Sequence, residues 1–334
     1  ERQGDLRAFT GGKLKVENLE KDGKIVGRRL PPEKNKDFPG VDLTGFNDNW
    51  WVGLSLFHTL FALEHNVICD CLHEAYPEWD DERLFQTARL INVAVMAKIH
   101  TVEWTPAILG HPTLLIGMRA NWWGILTERL TKSIGRFKIL GGVQEEISGI
   151  PASEKDHHTA PYYLTEEFVA VYRMHPLIPD RYRFYSAQND ELLTACSLEE
   201  IHGNKTRDFM KGIAFEDLFY SFGLAHPGAV TLNNFPRALQ QFTRIKEGSI
   251  TNERLDMGAI DVMRDRERAV PRYNQFRRFL LMLPAYSYRR LVGLPLLPWF
   301  SSLTKRDIED RKKWARELEQ LYPDPELLDL MVGL

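Results

Sequence analysis

The segment LTEEFVAVYRMHPLIPDRYRF, residues 164–184, places Tyr172 three residues before His175 at the end of an apolar run. On a helix, three residues at roughly 100° each set two side chains about 60° apart and roughly 4.5 Å along the axis, so phenol and imidazole would share one face. An imidazole in that position can ligate a haem iron axially while the phenol reaches the macrocycle's edge. The pairing suits one-electron chemistry, in which a tyrosine gives up an electron and a proton to an oxidised haem and its radical then attacks a substrate. Spacing by itself also describes a half-buried amphipathic pair, the commoner meaning of an isolated Tyr-x-x-His.

Other reactive side chains read as structural. His58 and His65 lie seven apart on one helix face, but no carboxylate completes a metal site around them. Cys69 and Cys71 lack the spacing and the partner cysteines of a zinc site, and His157 and His158 fall in a polar loop. The stretch RDRERAVPRYNQFRR (264–278) is basic, yet its interleaved acids at helical period favour ion pairs within the chain over nucleic-acid binding. LVGLPLLPWFSSL (291–303) is shorter than a membrane span and broken by two prolines, so a peripheral membrane contact is the most it allows.

Composition bounds the problem without naming a function. The chain has 334 residues, 43% of them hydrophobic, and a formal net charge of -3, enough for a large buried core. Lys and Arg (43) nearly balance Asp and Glu (46), which leaves no broad basic field for nucleic acid. Three cysteines make an odd count, favouring reduced thiols and an intracellular compartment. The opening ERQGDLRAF and the closing PELLDLMVGL both read as cut ends, so the expectation is a segment truncated on each side.

The elements that must position Tyr172 and His175 are helical. Residues 1–47, rich in Lys, Gly and Pro, read as a lead-in of loop and short hairpin, followed by one helical domain over 48–334. Asp48 or Asn49 is the expected cap of a first helix whose apolar positions Val52, Leu56, Leu60, Leu63 and Val67 form its buried stripe, ending near Pro77. A second helix starts at Asp80 and carries Leu84, Phe85, Ala88, Ile91, Val95, Met96 and Ile99 on a face wide enough to be nearly buried. A third is capped by Thr165 and is expected to end at His175, because Pro176 disfavours helical geometry in the residue before it. Further helices are predicted near 206–222, 256–269, 273–282 and 304–321, the last with a Thr304–Asp307 capping box. Strand-like alternation is scarce, and the predicted class is mainly α.

YRMHPLIPD resembles the proximal-histidine motif of the animal-type haem peroxidase and cyclooxygenase superfamily, and EEFVAVYRMH is nearest the form found in fatty-acid α-dioxygenases. Four further blocks agree in order: LRAFTGGKLK, WWVGLSLFHTLFALEHNVICDCL, YPEWDDERLFQTARLINVAVMAKIHTVEWT and RDRERAVPRYNQFRR. Together they span nearly the whole chain. The resemblance implies a helical, cyclooxygenase-like haem-peroxidase domain, incomplete at both ends, with His175 as iron ligand of haem b and Tyr172 as the radical-bearing residue. It also implies that EHN (64–66) is a packing motif.

In such sites the proximal imidazole bonds a polar side chain through its other nitrogen, which sets its basicity and the iron's redox behaviour. By its place before RDRERAVPRYN, Asp261 takes that role; a surface ion pair with Arg264 or Arg268 remains the alternative. His100 and Thr105 match positions that help bind the substrate carboxylate in α-dioxygenases, and a core histidine is the alternative for His100. On a regular helix these two lie about 140° apart, so they converge only if the helix loosens near Thr105, where Pro106 disfavours helical geometry.

The family's distal histidine and calcium-binding loop are not found in the chain, and the arginine that completes the carboxylate clamp belongs to a later helix. The resemblance therefore implies only the proximal half of a haem site, with calcium belonging to the full-length family, and a weak or inactive isolated chain. The function expected of the intact protein is oxygenation of a fatty acid at its α-carbon to a 2-hydroperoxy acid, an oxylipin, with molecular oxygen and hydrogen peroxide as co-reactants. A general haem peroxidase acting on small donors and a haem-free interaction module are the two alternatives.

Overall fold

The computed structural model describes residues 6–21, 23–36, 40–44, 49–125, 127–134, 138–139, 142–143, 147, 149–150, 164–246, 249–295 and 302–334. His157 and His158, Asp48, and residues 296–301 of the apolar segment lie outside them. The chain divides into two compact units, Glu1–Lys34 with Gly40–Pro161, and Asn35–Pro39 with Tyr162–Leu334. Helices dominate both. Among the described residues, strands pair only as two-stranded antiparallel hairpins: β1 (Glu17–Lys21) with β2 (Lys24–Arg29), β3 (Lys138–Ile139) with β4 (Gly142–Val143), β5 (Tyr182–Tyr185) with β6 (Leu192–Cys196), and β7 (Phe242–Lys246) with β8 (Ser249–Leu255).

The first unit is built on α1 (Val52–Ala75) and α2 (Asp81–Lys98). The expected cap of α1 is not used: its N-cap is Trp51, whose side chain does not cap the helix, and Asn49 lies two residues earlier. The buried stripe also differs from the apolar one. Val52 and Leu56 are buried, but the line continues through Thr59, Ala62, His65 and Cys69, while Val67 is exposed. The reason is close packing against backbone. His65 Nε2 lies 2.9 Å from the Gly12 carbonyl and Cys69 Sγ donates to the same oxygen at 3.2 Å, while Asn66 exchanges bonds of 2.8 and 2.9 Å with the main chain of Leu14. Small and polar side chains permit that approach, and bulky ones would hold the lead-in away. Gly12 itself, at φ +72°, has no room for a Cβ beside the Phe85 backbone. Arg7 pairs with Asp81 (2.6 Å) and Glu82, closing the lead-in over the start of α2.

Helix α2 begins as expected, with the Asp80 carboxylate accepting from the Arg83 N–H at 2.8 Å. Its apolar face is not nearly buried: Leu84, Ala88 and Asn92 are, whereas Ile91, Met96 and Ile99 are exposed. Periodicity reveals which side chains are apolar, not how wide a strip the neighbouring helix covers. The helix then widens into a π-helical turn, Ile99–Trp104, before α3 (Thr105–Ile108) and α4 (Pro112–Trp123).

The second unit holds α5 (Glu166–Val171), α6 (Thr206–Lys211), α7 (Phe215–Leu224), α8 (Met257–Glu267), α9 (Tyr273–Phe279), α10 (Lys305–Leu321) and α11 (Leu330–Gly333). One core joins Ala170 of α5 to Tyr273, Ala285, Tyr288, Ala315, Leu318, Leu328 and Leu330. The helix expected over 206–222 is interrupted at Gly212, which caps α6. The Thr304–Asp307 capping box forms at the start of α10. Most arginines of the RDRERAVPRYNQFRR stretch are paired inside the chain. Arg266 and Arg272 meet the buried Asp329, Arg278 meets Glu326 at 2.6 Å, and Arg277 lies over the Tyr273 ring.

Candidate haem-facing and substrate-binding residues

Helix α5 is started by Thr165, whose hydroxyl accepts from the Phe168 N–H at 3.1 Å, but it closes at Val171. Tyr172 is its C-cap, at φ -83° and ψ 56°, and His175 opens a short 3-10 turn, His175–Leu177. The shared helical face expected for Tyr172 and His175 is therefore not how they are related. Pro176 reaches further back than its immediate neighbour: it offers no N–H to the carbonyl four residues earlier, that of Tyr172, and its ring would clash with it. The helix therefore cannot run through Pro176, and it closes at Val171, one turn short of His175. Tyr172 is 41% exposed, its ring stacked on Phe168 at 5.2 Å between centroids.

The turn carrying His175 is pinned by the segment 228–237. Gly228 donates to the Leu177 carbonyl at 3.0 Å, Asn234 donates to the Pro176 carbonyl at 3.5 Å, and the Arg237 N–H reaches Asp180 at 2.8 Å. A Cβ on Gly228 would collide with the Pro176 carbonyl oxygen. The imidazole meets the Phe235 ring edge-on at 5.8 Å.

Helix α8, capped by the Asp256 side chain on the Ala259 N–H at 3.0 Å, turns Asp261 and Asp265 to its buried face, one turn apart. Asp261 is 4% exposed. Its Oδ2 lies 3.8 Å from His175 Nδ1, and its Oδ1 lies 3.3 Å from a terminal nitrogen of Arg173. The surface pair with Arg264 or Arg268 does not form; those two arginines turn to Glu166 of α5 instead. At 3.8 Å the imidazole and carboxylate are neighbours without a hydrogen bond, and both Nδ1 and Oδ2 are buried with no hydrogen-bond partner among the described residues. Burial lowers the His175 pKa below its ordinary value, Asp261 opposing that and Arg173 adding to it. The ring is thus held neutral, the form that ligates metal.

A haem-peroxidase family member needs such an imidazole, and these residues fit one. A proton on Nδ1 faces the Asp261 carboxylate, which leaves the Nε2 lone pair for an iron. Two charged neighbours of this pair were not singled out from sequence. Arg173 sits inside the motif between tyrosine and histidine, and Asp265 is signalled only by its four-residue spacing from Asp261. The Asp265 carboxyl is pushed up from its ordinary value by burial and then by the charge of Asp261.

His100 and Thr105 lie in the first unit, on the π-helical turn and at its end. A π turn closes through an i to i+5 bond, and here the Thr105 N–H bonds the His100 carbonyl. Its hydroxyl donates to the same oxygen at 2.7 Å. The helix does loosen, but not by Thr105 leaving helical space, since its φ of -60° and ψ of -46° are helical. Pro106 instead withholds an N–H from the Val102 carbonyl four residues back, and the wider turn absorbs the loss. His100 is exposed, its ring stacked on Trp104 at 5.2 Å. Of the remaining candidates, His65 is used in packing and His58 lies edge-on to Trp50 at 5.1 Å. Cys69 and Cys196 are buried, their thiols pushed up to about 11 by burial, whereas Cys71 is exposed.

The family model for animal haem peroxidases matches residues 1–334. Alpha-dioxygenase 2 of Arabidopsis thaliana is 37% identical over 98% of this chain and 48% of its own length. The crystal structure of an Arabidopsis thaliana fatty acid alpha-dioxygenase superposes with a TM-score of 0.80 at 33% identity, over 100% of this chain and 48% of that one. An Oryza sativa fatty acid alpha-dioxygenase, solved as a tyrosine-to-phenylalanine variant with palmitic acid, matches with a TM-score of 0.77 at 33% identity, over 100% of this chain and 51% of that one. The chain spans about half the length of these relatives. With the helical architecture, the His175 turn and a match along its whole length, the chain belongs to the animal haem peroxidase family, an oxidoreductase family, and has the helical peroxidase and cyclooxygenase fold of the alpha-dioxygenases.

Proposed function

We propose that this chain carries the proximal half of the haem site of a fatty-acid α-dioxygenase, which adds molecular oxygen at the carbon next to the carboxylate. The observation that carries the reading is the buried Asp261 carboxylate facing His175 Nδ1, three residues after Tyr172. His175 and Asp261 would hold the haem, which when bound supplies the one-electron oxidant, with hydrogen peroxide as the initiating co-reactant. Tyr172 then acts as hydrogen-atom carrier. Its phenol O–H is lost as a hydrogen atom, and the phenoxyl radical takes one α-hydrogen from the fatty acid, restoring the phenol. Oxygen adds to the α-carbon radical, and the peroxyl radical takes the phenolic hydrogen back, giving a 2-hydroperoxy acid and regenerating the tyrosyl radical. His100 and Thr105 are the proposed contacts of the substrate carboxylate. Support for the substrate comes from the relatives' names and from the palmitic acid bound to one of them.

Oxygen uptake by the full-length protein with palmitic acid tests this. Uptake in the wild type that disappears in Tyr172→Phe, with the Soret band retained, is the expected result. Undiminished uptake in that variant removes the radical role of Tyr172, and peroxidase turnover of small donors without any fatty-acid uptake would favour the general peroxidase.

A further inference from the structure

The Asp261 carboxylate is shared. One oxygen faces the imidazole of His175 at 3.8 Å, and the other faces the guanidinium of Arg173 at 3.3 Å. Arg173 and His175 are two residues apart, on the turn that Pro176 forces and Gly228 pins, so a short piece of backbone presents both to one buried acid. The other arginines nearby, Arg264 and Arg268, are committed to Glu166. Among the described residues, that leaves Arg173 as the cation placed on the carboxylate that faces the histidine.

We propose that Arg173 is a positioning residue that tempers the proximal histidine, by holding Asp261 back from a full hydrogen bond with Nδ1. The proposal rests on His175 being the iron ligand. A carboxylate accepting a short bond from Nδ1–H drives the imidazole toward its anionic form, strengthens the iron–nitrogen bond and favours ferric iron. A guanidinium on the same carboxylate withdraws negative charge and pulls it toward itself. Loss of Arg173 therefore acts twice in one direction: a nearby positive charge disappears, and the acid is released toward the imidazole. Both lower the iron's reduction potential.

The test uses the full-length protein loaded with haem, read by resonance Raman spectroscopy of the ferrous form and by redox titration. Arg173→Gln is expected to move the iron–histidine stretch to higher frequency and the midpoint potential downward, with Arg173→Met doing the same and Arg173→Lys staying near wild type. Asp261→Asn is expected to shift both readouts the opposite way. In an Asp261→Asn background, Arg173→Gln should no longer move the stretching frequency, because its route through the carboxylate is gone. An unchanged stretch in both neutral variants, or an equal shift with and without Asp261, overturns the proposal. If His175→Gly keeps the wild-type Soret band and stretch, the ligand assignment fails, and this proposal with it.

Discussion

Asp261 Oδ2 and His175 Nδ1 face each other across 3.8 Å, both buried, neither with a hydrogen-bond partner among the described residues. A carboxylate and a neutral ring nitrogen so placed are poised to close a hydrogen bond if the ring moves slightly. Replacing Asp261 by Ala leaves Nδ1 buried with no acceptor in reach, and in metal sites the loss of such a partner weakens affinity by about 10–100-fold. Haem titration of the full-length Asp261→Ala protein, followed at the Soret band, should show weakened binding of that order.

Gly228 is required by close approach rather than by backbone angle. Its N–H holds the Leu177 carbonyl, and its α-carbon lies against the Pro176 carbonyl. In Gly228→Ala the added methyl must push the His175 turn away, an overpacking that costs about 1–3 kcal/mol. A lower urea midpoint together with faster haem loss is the expected pair of results; a lower midpoint with unchanged haem retention would separate stability from positioning.

Acid sensitivity should begin near pH 6.5. His65 and His202 have pKa values below the ordinary 6.5, in each case chiefly through burial. A depressed histidine is neutral in the folded state, so the unfolded chain binds more protons once the pH drops below 6.5, and stability falls from there until the folded pKa is passed. His65 also holds the Gly12 carbonyl, so its loss of stability on protonation is a loss of lead-in docking. Urea unfolding at pH 7.5 and pH 5.5 should give a lower midpoint at pH 5.5, and His65→Gln should narrow the difference.

Asp329, nearly fully buried, accepts from Arg266 at 3.0 Å, from Arg272 and from the Tyr322 hydroxyl at 2.7 Å. It ties the arginine-rich stretch to the start of α11. Removing one partner of a buried ion pair costs about 3–5 kcal/mol. Both arginines keep some contact with water, so Asp329→Ala is expected at the lower end of that range by urea denaturation, and Asp329→Asn should recover part of it.

Much of the helical plan was legible because the signals are local. Asp80, Thr165, Asp256 and the Thr304–Asp307 box stand where a side-chain oxygen can reach a free backbone N–H within three residues, and each begins a helix in the structure. The family was legible because YRMHPLIPD and the other blocks keep their residue types in order along the chain, and the family model matches residues 1–334. Tertiary structure decided what those residues face. The proline at 176 signalled a helix end, but the structure closes the helix a turn earlier, at Val171. The buried side of α1 was set by a backbone lying on small residues, which hydrophobic periodicity does not record. Asp261 illustrates the division best: its sequence neighbours Arg264 and Arg268 offered an ion pair at helical spacing, and it turned instead to Arg173 and His175, nearly 90 residues away. Charge pairing depends on which face a helix buries and what packs there, and that choice belongs to the assembled core.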